Sequence, residues 1–172
     1  MTISCMHDYH CASVIRRLLQ VEGEAVSITG KAFSHKVTDT KTRYETLTDG
    51  KVVEKEHRHL IMEYESGKTA FYDFMSDQYR SPIRNRYINV RGTRGEIVND
   101  VVYYLGEDNL ARSRKLELAN PYEKYGLDED EAAITEIMKG MAVYIRTGKE
   151  IYPVAYALED AVLANRMTGV GK

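Results

Sequence analysis

The sequence predicts an α+β fold in which helices pack on one face of a mostly antiparallel, open β-sheet. Three features support this prediction. Apolar residues recur at helical spacing close to the start of the chain, between Asp8 and Leu19. Short alternating segments joined by glycine-containing turns, which are typical of hairpins, fill the middle of the chain. Helical spacing then returns from residue 128 onwards. A sheet covered by helices on one face leaves its other face to water or to a partner.

The length and composition are those of a single globular domain covering residues 1–172. The chain has 172 residues, of which 43% are hydrophobic and 29% are charged, and its net charge is −2. Because basic and acidic residues are interspersed, neither nucleic acid nor a membrane is expected as a partner. The sequence shows no signal peptide and no apolar run of transmembrane length. Its two cysteines, Cys5 and Cys11, lack metal-ligand spacing and do not make a disulfide framework. A reducing, cytoplasmic setting is therefore expected.

The first predicted helix carries the strongest candidate for acid–base chemistry. Asp8 is expected to be its N-cap, which places His10 in the first turn. Unpaired backbone amides and the positive end of the helix dipole disfavour the imidazolium form there, so His10 suits the role of a neutral base. On these residues alone, a histidine that only caps or packs against the helix end is the alternative. Arg16 and Arg17 are expected on the solvent side, opposite the apolar residues.

The middle of the chain predicts a series of strands. The expected strands are residues 24–34, 52–65, 69–75, 87–91, 96–99, 101–105 and 115–118. The turn Ser66-Gly67 predicts a hairpin between the second and third of them. The polar residues 36–49 predict a loop or edge segment that ends at the turn signal Asp49-Gly50.

A pair of histidines lies on one face of the second predicted strand. His57 and His59 are two residues apart, a spacing that could hold a metal ion from a strand. The sequence shows no further ligand cluster near them, and Lys55 and Arg58 are their neighbours. We therefore predict surface histidines and no metal site.

Residues 76–86 predict a loop, because Pro82 is incompatible with a regular central strand. This segment contains Tyr79 and Arg80 together with further arginines. A tyrosine among guanidinium groups could bind a carboxylate, a phosphate or the hydroxyls of a sugar. A solvated loop is the alternative.

Two helices are expected at the end of the chain. Asp128 and Glu131 form a capping box, and Gly148 ends the helix that follows. Its methionine- and isoleucine-rich stripe is expected to fill the core. Pro153 marks the start of the final helix. The residues expected to face inward from that helix are Ala157, Leu158, Ala161 and Val162.

Several of these segments resemble the C-terminal domain of the glucose–fructose oxidoreductase / inositol dehydrogenase / MocA family. The segment His10-Cys-Ala-Ser-Val-Ile-Arg-Arg-Leu-Leu is similar to the family's opening helix, and Gly92-Thr-Arg-Gly95 is similar to its Gly-Thr-x-Gly turn. The order of the last two helices is also similar. The resemblance implies that His10 is the catalytic group that transfers the hydroxyl proton. Met6 stands where the family has an aspartate four residues before this histidine.

The resemblance also implies a substrate site and a function. His7 or Asp8 takes the place of the missing aspartate at the substrate, and Tyr79 and Arg80 lie near the substrate cleft. The implied function is substrate binding and oligomerisation in an NAD(P)-dependent oxidoreductase acting on a sugar, a polyol or a related hydroxylated compound. The partners implied are a small-molecule substrate and a second copy of the chain, which binds through the open face of the sheet.

The nucleotide-binding half of such an enzyme is not visible in the sequence. The 172 residues contain neither the glycine fingerprint of a dinucleotide-binding domain nor the lysine of the family's Glu-Lys-Pro junction. We therefore expect no cofactor in this chain, no activity from it alone, and NAD(P) in the full-length enzyme. A stand-alone, non-catalytic binding or assembly module is the alternative, which Met6 favours.

Overall fold

One open sheet forms the body of the protein. The computed structural model describes residues 1–4, 6–39, 50–76, 86–117 and 119–170. Within them, the strands are β1 (Thr2–Ser4), β2 (Val26–Thr38), β3 (Val52–Tyr64), β4 (Thr69–Met75), β5 (Tyr87–Gly92), β6 (Gly95–Val98), β7 (Val101–Leu105) and β8 (Ala111–Lys115). Their order across the sheet is β2-β3-β4-β1-β5-β6-β7-β8. All neighbours run antiparallel except β1 and β4, which are parallel.

The helices confirm the predicted fold class. They are α1 (Asp8–Leu19), α2 (Glu129–Thr147) and α3 (Val154–Gly169), and a short 3₁₀ turn covers Glu123–Tyr125. α1 and α3 pack against each other on one face of the sheet. Their buried side chains meet the buried faces of β1, β3 and β4 in a single core. None of the helices in the described residues has the length and apolar character needed to cross a membrane.

The β3–β4 hairpin has the predicted turn. Gly67 has φ of +79°, a left-handed conformation that glycine adopts without steric cost. Its backbone N–H donates to the carbonyl of Tyr64 at 2.8 Å and closes the turn. The strands then alternate as the pattern indicated: Leu60 and Met62 are buried beneath the helices, whereas Ile61 faces the open side.

Two of the other strands differ from their predicted bounds by more than one residue. β2 continues through His35 to Thr38 because it pairs with β3 along its whole length, and tertiary pairing outweighs the polar composition of this segment. β8 begins at Ala111 rather than Lys115. The turn before it is short, since the N–H of Gly106 donates to the carbonyl of Leu110 at 3.0 Å and β8 starts with the next residue.

The helices at the end of the chain have the predicted limits but different buried faces. Asp128 and Glu131 form the capping box, and Gly148 ends α2 in a left-handed conformation. The apolar stripe of α2 is solvent-exposed, so the prediction that it fills the core is wrong; α1 and α3 already cover the sheet. The exposed stripe consists of Ile134, Ile137, Met138, Met141 and Ile145.

The buried face of α3 is also offset from the predicted one. Leu158 and Val162 are exposed, and the helix buries Asp160, Leu163, Ala164 and Met167 instead. The apolar residues of α3 surround the whole helix, so periodicity alone does not define its buried side. A buried carboxylate lies on the side that faces α1.

Candidate functional site

A groove between α1 and α3 contains His10. Its volume is about 440 Å³. Residues from both helices and from the segment before α1 line it: Met6, Tyr9, His10, Ser13, Val14, Ala157, Asp160 and Ala161. The walls therefore combine an imidazole, a hydroxyl and a carboxylate with small apolar side chains. Such a mixture suits a small ligand that has both polar groups and C–H surface.

The start of α1 differs by one residue from the predicted start. The N-cap is His7, not Asp8, and its side chain makes no capping hydrogen bond. Asp8 is the first helical residue, so His10 still lies in the first turn. Aspartate is among the residue types that most often cap helices, but here the Asp8 carboxylate binds Arg58 and Tyr72 instead.

The environment of His10 favours its neutral form. Burial of the imidazole lowers the pKa of His10 below 6.5, and the charges of His7 and Arg86 lower it further, whereas Asp130 acts in the opposite direction. The ring of Tyr9 lies beside it, with the two ring centroids 3.9 Å apart. At neutral pH, His10 is therefore a neutral side chain, exposed at the groove, that can accept a proton.

Asp8 lies in the core behind the groove. It is only 3% exposed, and each of its carboxylate oxygens accepts a hydrogen bond. Nη1 of Arg58 donates to one oxygen at 2.9 Å, and the hydroxyl of Tyr72 donates to the other at 2.6 Å. Burial, followed by the Asp8 charge, raises the pKa of Tyr72 far above its usual value, so Tyr72 stays a donor. Asp8 thus joins α1 to β3 and β4.

A second buried ionic cluster lies between α1 and α3. Arg16 donates to Asp160 and to Glu159, and its Nη1 also donates to the carbonyl of Tyr156 at 2.9 Å. The expectation that Arg16 faces solvent is wrong, because it is 4% exposed and α3 supplies the carboxylates that compensate its charge. Acidic neighbours in an otherwise apolar final helix are the sequence signal that could have indicated this cluster.

Asp160 connects this cluster to the groove. Tyr152 donates its hydroxyl to the second oxygen of the Asp160 carboxylate. Burial, together with this hydrogen bond, raises the pKa of Tyr152, whereas a hydrogen bond with Ser13 acts in the opposite direction. Ser13 and Asp160, which sequence analysis did not identify, are therefore oriented by partners behind the groove wall.

Of the remaining candidate residues, one lines the groove, one is exposed at the start of α1, and two lie outside the described residues. The Met6 side chain lines the groove, and its carbonyl accepts a hydrogen bond from Tyr72 at 2.9 Å. His7 is exposed at the helix start, where its ring lies 5.9 Å from that of Phe74. Tyr79 and Arg80 lie outside the described residues.

The histidine pair on β3 has a third potential ligand. The register of β3 and β4 places His59 opposite Asp73. Oδ1 of Asp73 lies 3.1 Å from Nε2 of His57 and 3.1 Å from Nε2 of His59. The expectation that no ligand cluster accompanies these histidines is therefore wrong. The sequence could not reveal it, because the carboxylate comes from the neighbouring strand.

Comparison with known proteins establishes the fold. No protein-family model matches the chain, and no curated protein matches its sequence. The chain is similar to the crystal structure of a proposed NADPH-dependent oxidoreductase from Desulfitobacterium hafniense DCB-2, with a TM-score of 0.50 and 16% sequence identity. The similarity covers 91% of this chain and 42% of that chain. This chain therefore spans less than half the length of the protein that it resembles in fold.

Proposed function

We propose that this chain is the substrate-binding and oligomerisation domain of an NAD(P)-dependent oxidoreductase that acts on a sugar, a polyol or a related hydroxylated compound. The observation that carries the proposal is the groove at His10. A neutral histidine, a hydroxyl and a carboxylate line the same groove. The fold likeness to part of a proposed NADPH-dependent oxidoreductase supports the same function.

The groove has the chemistry that a polyol requires. The Ser13 hydroxyl both donates and accepts hydrogen bonds. The Asp160 carboxylate is bound by Arg16 and Tyr152 on its buried side, and its remaining lone pairs are the proposed acceptors for a substrate hydroxyl. Val14 and Ala157 offer apolar contacts to the C–H groups between those hydroxyls. The exposed ring of Tyr9 borders the same groove and adds an aromatic surface.

His10 is the proposed acid–base group. As the alcohol carbon is oxidised, the imidazole accepts the proton of the substrate hydroxyl, and in the reverse direction it returns that proton. A nicotinamide nucleotide bound elsewhere in the parent enzyme would supply the hydride acceptor. The contribution of this chain is confined to binding the substrate, orienting it and holding the proton.

The nucleotide itself does not fit this chain. A pyrophosphate is commonly held where a glycine-rich turn leads from a strand into a helix N-terminus. In the described residues, no such turn joins a strand directly to a helix. We therefore propose that the nicotinamide nucleotide is bound by another domain and that this chain alone binds none.

The proposed oligomer uses the open face of the sheet. Phe33, Ile61 and Phe71 expose 42%, 39% and 48% of their surfaces, and all three lie on the face opposite the helices. Exposed apolar side chains on a sheet face are typical of surfaces that pack against a partner. A second copy of the chain would cover them.

Substrate binding can be tested on this chain directly. We expect polyols and sugars at millimolar concentration to produce saturable NMR shifts at His10, Ser13 and Asp160. The variant His10→Ala should lose these shifts, whereas His35→Ala, which removes a histidine from β2, should retain them. Shifts that are absent, or that occur only away from the groove, would count against the proposal.

A non-catalytic binding module is the second candidate, and Met6 favours it. The Met6 thioether lines the groove where the resembled family has a carboxylate, and it cannot hold a proton as a carboxylate does. The coding sequence upstream distinguishes the two functions. A strand followed by Gly-x-Gly-x-x-Gly there supports the oxidoreductase, and its absence supports the module.

A further inference from the structure

Three potential metal ligands converge on the open face of the sheet. His57 and His59 project from β3, and Asp73 projects from β4 beside them. One ligand atom from each of the three lies within 4.8 Å of the others. The cluster lies on the opposite side of the sheet from α1 and α3, so it is separate from the groove at His10.

We propose that His57, His59 and Asp73 bind a divalent transition-metal ion, for which Zn²⁺ is the best match. Two imidazole nitrogens and one carboxylate oxygen are a donor set that Zn²⁺ commonly accepts. Three protein ligands leave a fourth coordination position for water or another small ligand. This inference goes beyond the proposed function. The site lies beside Phe33 on the sheet face that the proposed oligomer covers, but the ligand set comes from one chain and does not depend on the oligomer.

The distances suit a tetrahedral ion. When each ligand atom lies about 2.0–2.1 Å from zinc, neighbouring ligand atoms are about 3.3 Å apart. The two distances of 3.1 Å from Oδ1 of Asp73 to the histidine nitrogens are close to that separation. The ligand atoms of the three residues lie within 4.8 Å of one another, and the His59 side chain is 59% exposed, so it has room to rotate towards the separation that zinc requires.

The backbone holds the three ligands in position without an ion. Residues two apart on a strand project to the same face, which fixes His57 and His59 as neighbours. The antiparallel register pairs His59 with Asp73 and fixes the third ligand. Ligands on paired strands are more rigidly held than ligands on loops.

One aromatic ring and two lysines border the three ligands on this face. Phe33 on β2 lies beside both histidines, with its ring centroid 6.1 Å from that of His57 and 6.0 Å from that of His59. The lysines on this face have other partners. Lys31 lies 5.2 Å from the centroid of Phe33, and Lys55 is 3.7 Å from the carboxylate of Asp39.

The first experiment measures Zn²⁺ binding to the chain after treatment with EDTA. Calorimetric titration with ZnCl₂ at neutral pH should give a single saturable site for each chain. Binding should weaken as the pH falls, because the imidazoles must lose their protons to bind the ion. Co²⁺ should produce the strong visible absorption of a low-coordinate site. A titration without a saturable single site would overturn the proposal.

Variants then locate the ion. His57→Ala, His59→Ala and Asp73→Asn should each lower the affinity roughly tenfold or more, since removing a ligand costs at least as much as removing its outer-shell support. His10→Ala removes a histidine from the other side of the sheet and should leave Zn²⁺ affinity unchanged. Wild-type affinity in His57→Ala or in Asp73→Asn would overturn the assignment.

The variants should remain folded, because the three ligands lie at the surface. Circular dichroism of the metal-free proteins checks this, and Asp73→Asn preserves the shape of the side chain if an alanine variant unfolds. Loss of Zn²⁺ binding in a folded Asp73→Asn supports the site. The polyol titration at the His10 groove is a separate measurement, so either result can fail without the other.

Discussion

The chemistry of His10 follows from its local surroundings. Burial is the main cause of its lowered pKa, and the neighbouring charge of His7 adds to the effect. A lowered pKa keeps the imidazole neutral at the pH where it must accept a proton. The lowered pKa also makes stability depend on pH. The contribution of His10 to the free energy of unfolding is present above pH 6.5 and is lost as the pH falls through the folded-state pKa.

An NMR titration tests this environment. The imidazole resonance of His10 should have its midpoint below pH 6.5. In His7→Ala the midpoint should move upward, because the variant removes a positive charge that opposes protonation. A midpoint at or above 6.5 in the wild-type chain would contradict the environment described for His10.

The residue types alone did not determine which side chains are buried. Asp8 is a residue type that commonly caps helices, and Arg16 lies on the polar side of the predicted helix. Both are nevertheless buried in ionic clusters. Their partners, Arg58 and Asp160, are distant in sequence, and sequence periodicity carries no information about such pairs. The direction of the His10 pKa shift agrees with the sequence prediction, but its largest cause is burial, and Arg86 and Asp130, which are distant in sequence, also contribute.

At the level of elements, the Asp8 cluster fixes the position of α1 on the sheet. The carboxylate bridges Arg58 of β3 and Tyr72 of β4. Because α1 carries both Asp8 and His10, this anchor also holds the wall of the groove. Arg58 also donates through Nε to the half-exposed carboxylate of Glu56, so without Asp8 it is the buried Nη1 end of the guanidinium that would have no carboxylate partner.

Denaturation measures the strength of this anchor. Asp8→Ala should lower the free energy of unfolding by about 1–3 kcal/mol, because it removes the acceptor of the buried Nη1 of Arg58 while Glu56 still pairs with Nε. The matched control is Asp108→Ala, which breaks an exposed pair with Arg112 and should change stability little. Equal effects of the two variants in urea titrations would show that the Asp8 cluster does not anchor α1.

The elements themselves were more predictable than their packing. The β3–β4 hairpin and the capping box of α2 depend on local residues, and both are present as predicted. The buried face of α3 and the exposed stripe of α2 depend on which helices pack on the sheet. That choice is set by tertiary packing and not by local sequence. The Asp73 ligand depends on strand register in the same way.

At the level of the whole molecule, two of the surfaces that expose apolar residues are candidates for the oligomer interface. One is the open face of the sheet, where Phe71 lies, and the other is the stripe of α2, where Met138 lies. The proposed oligomer uses the first. Both surfaces carry large exposed apolar side chains, so exposure alone does not identify the interface.

Sedimentation velocity can distinguish the two surfaces. The wild-type chain should form dimers or larger oligomers at micromolar concentration. Phe71→Lys should shift it to the monomer, because it places a charge where apolar side chains would meet. Met138→Lys should leave the oligomer intact. Dissociation by Met138→Lys alone would show that the interface lies on α2 and not on the sheet.

The most direct test of the central claim is the turnover of the full-length oxidoreductase that the proposed function implies. Polyol oxidation can be followed by the absorbance of the reduced nicotinamide, and nucleotide affinity can be measured in the same samples. In His10→Ala, turnover should fall by on the order of a hundredfold or more, as expected for loss of a positioned acid–base group, while nucleotide affinity stays unchanged. Unchanged turnover in His10→Ala would contradict the proposed role of this domain.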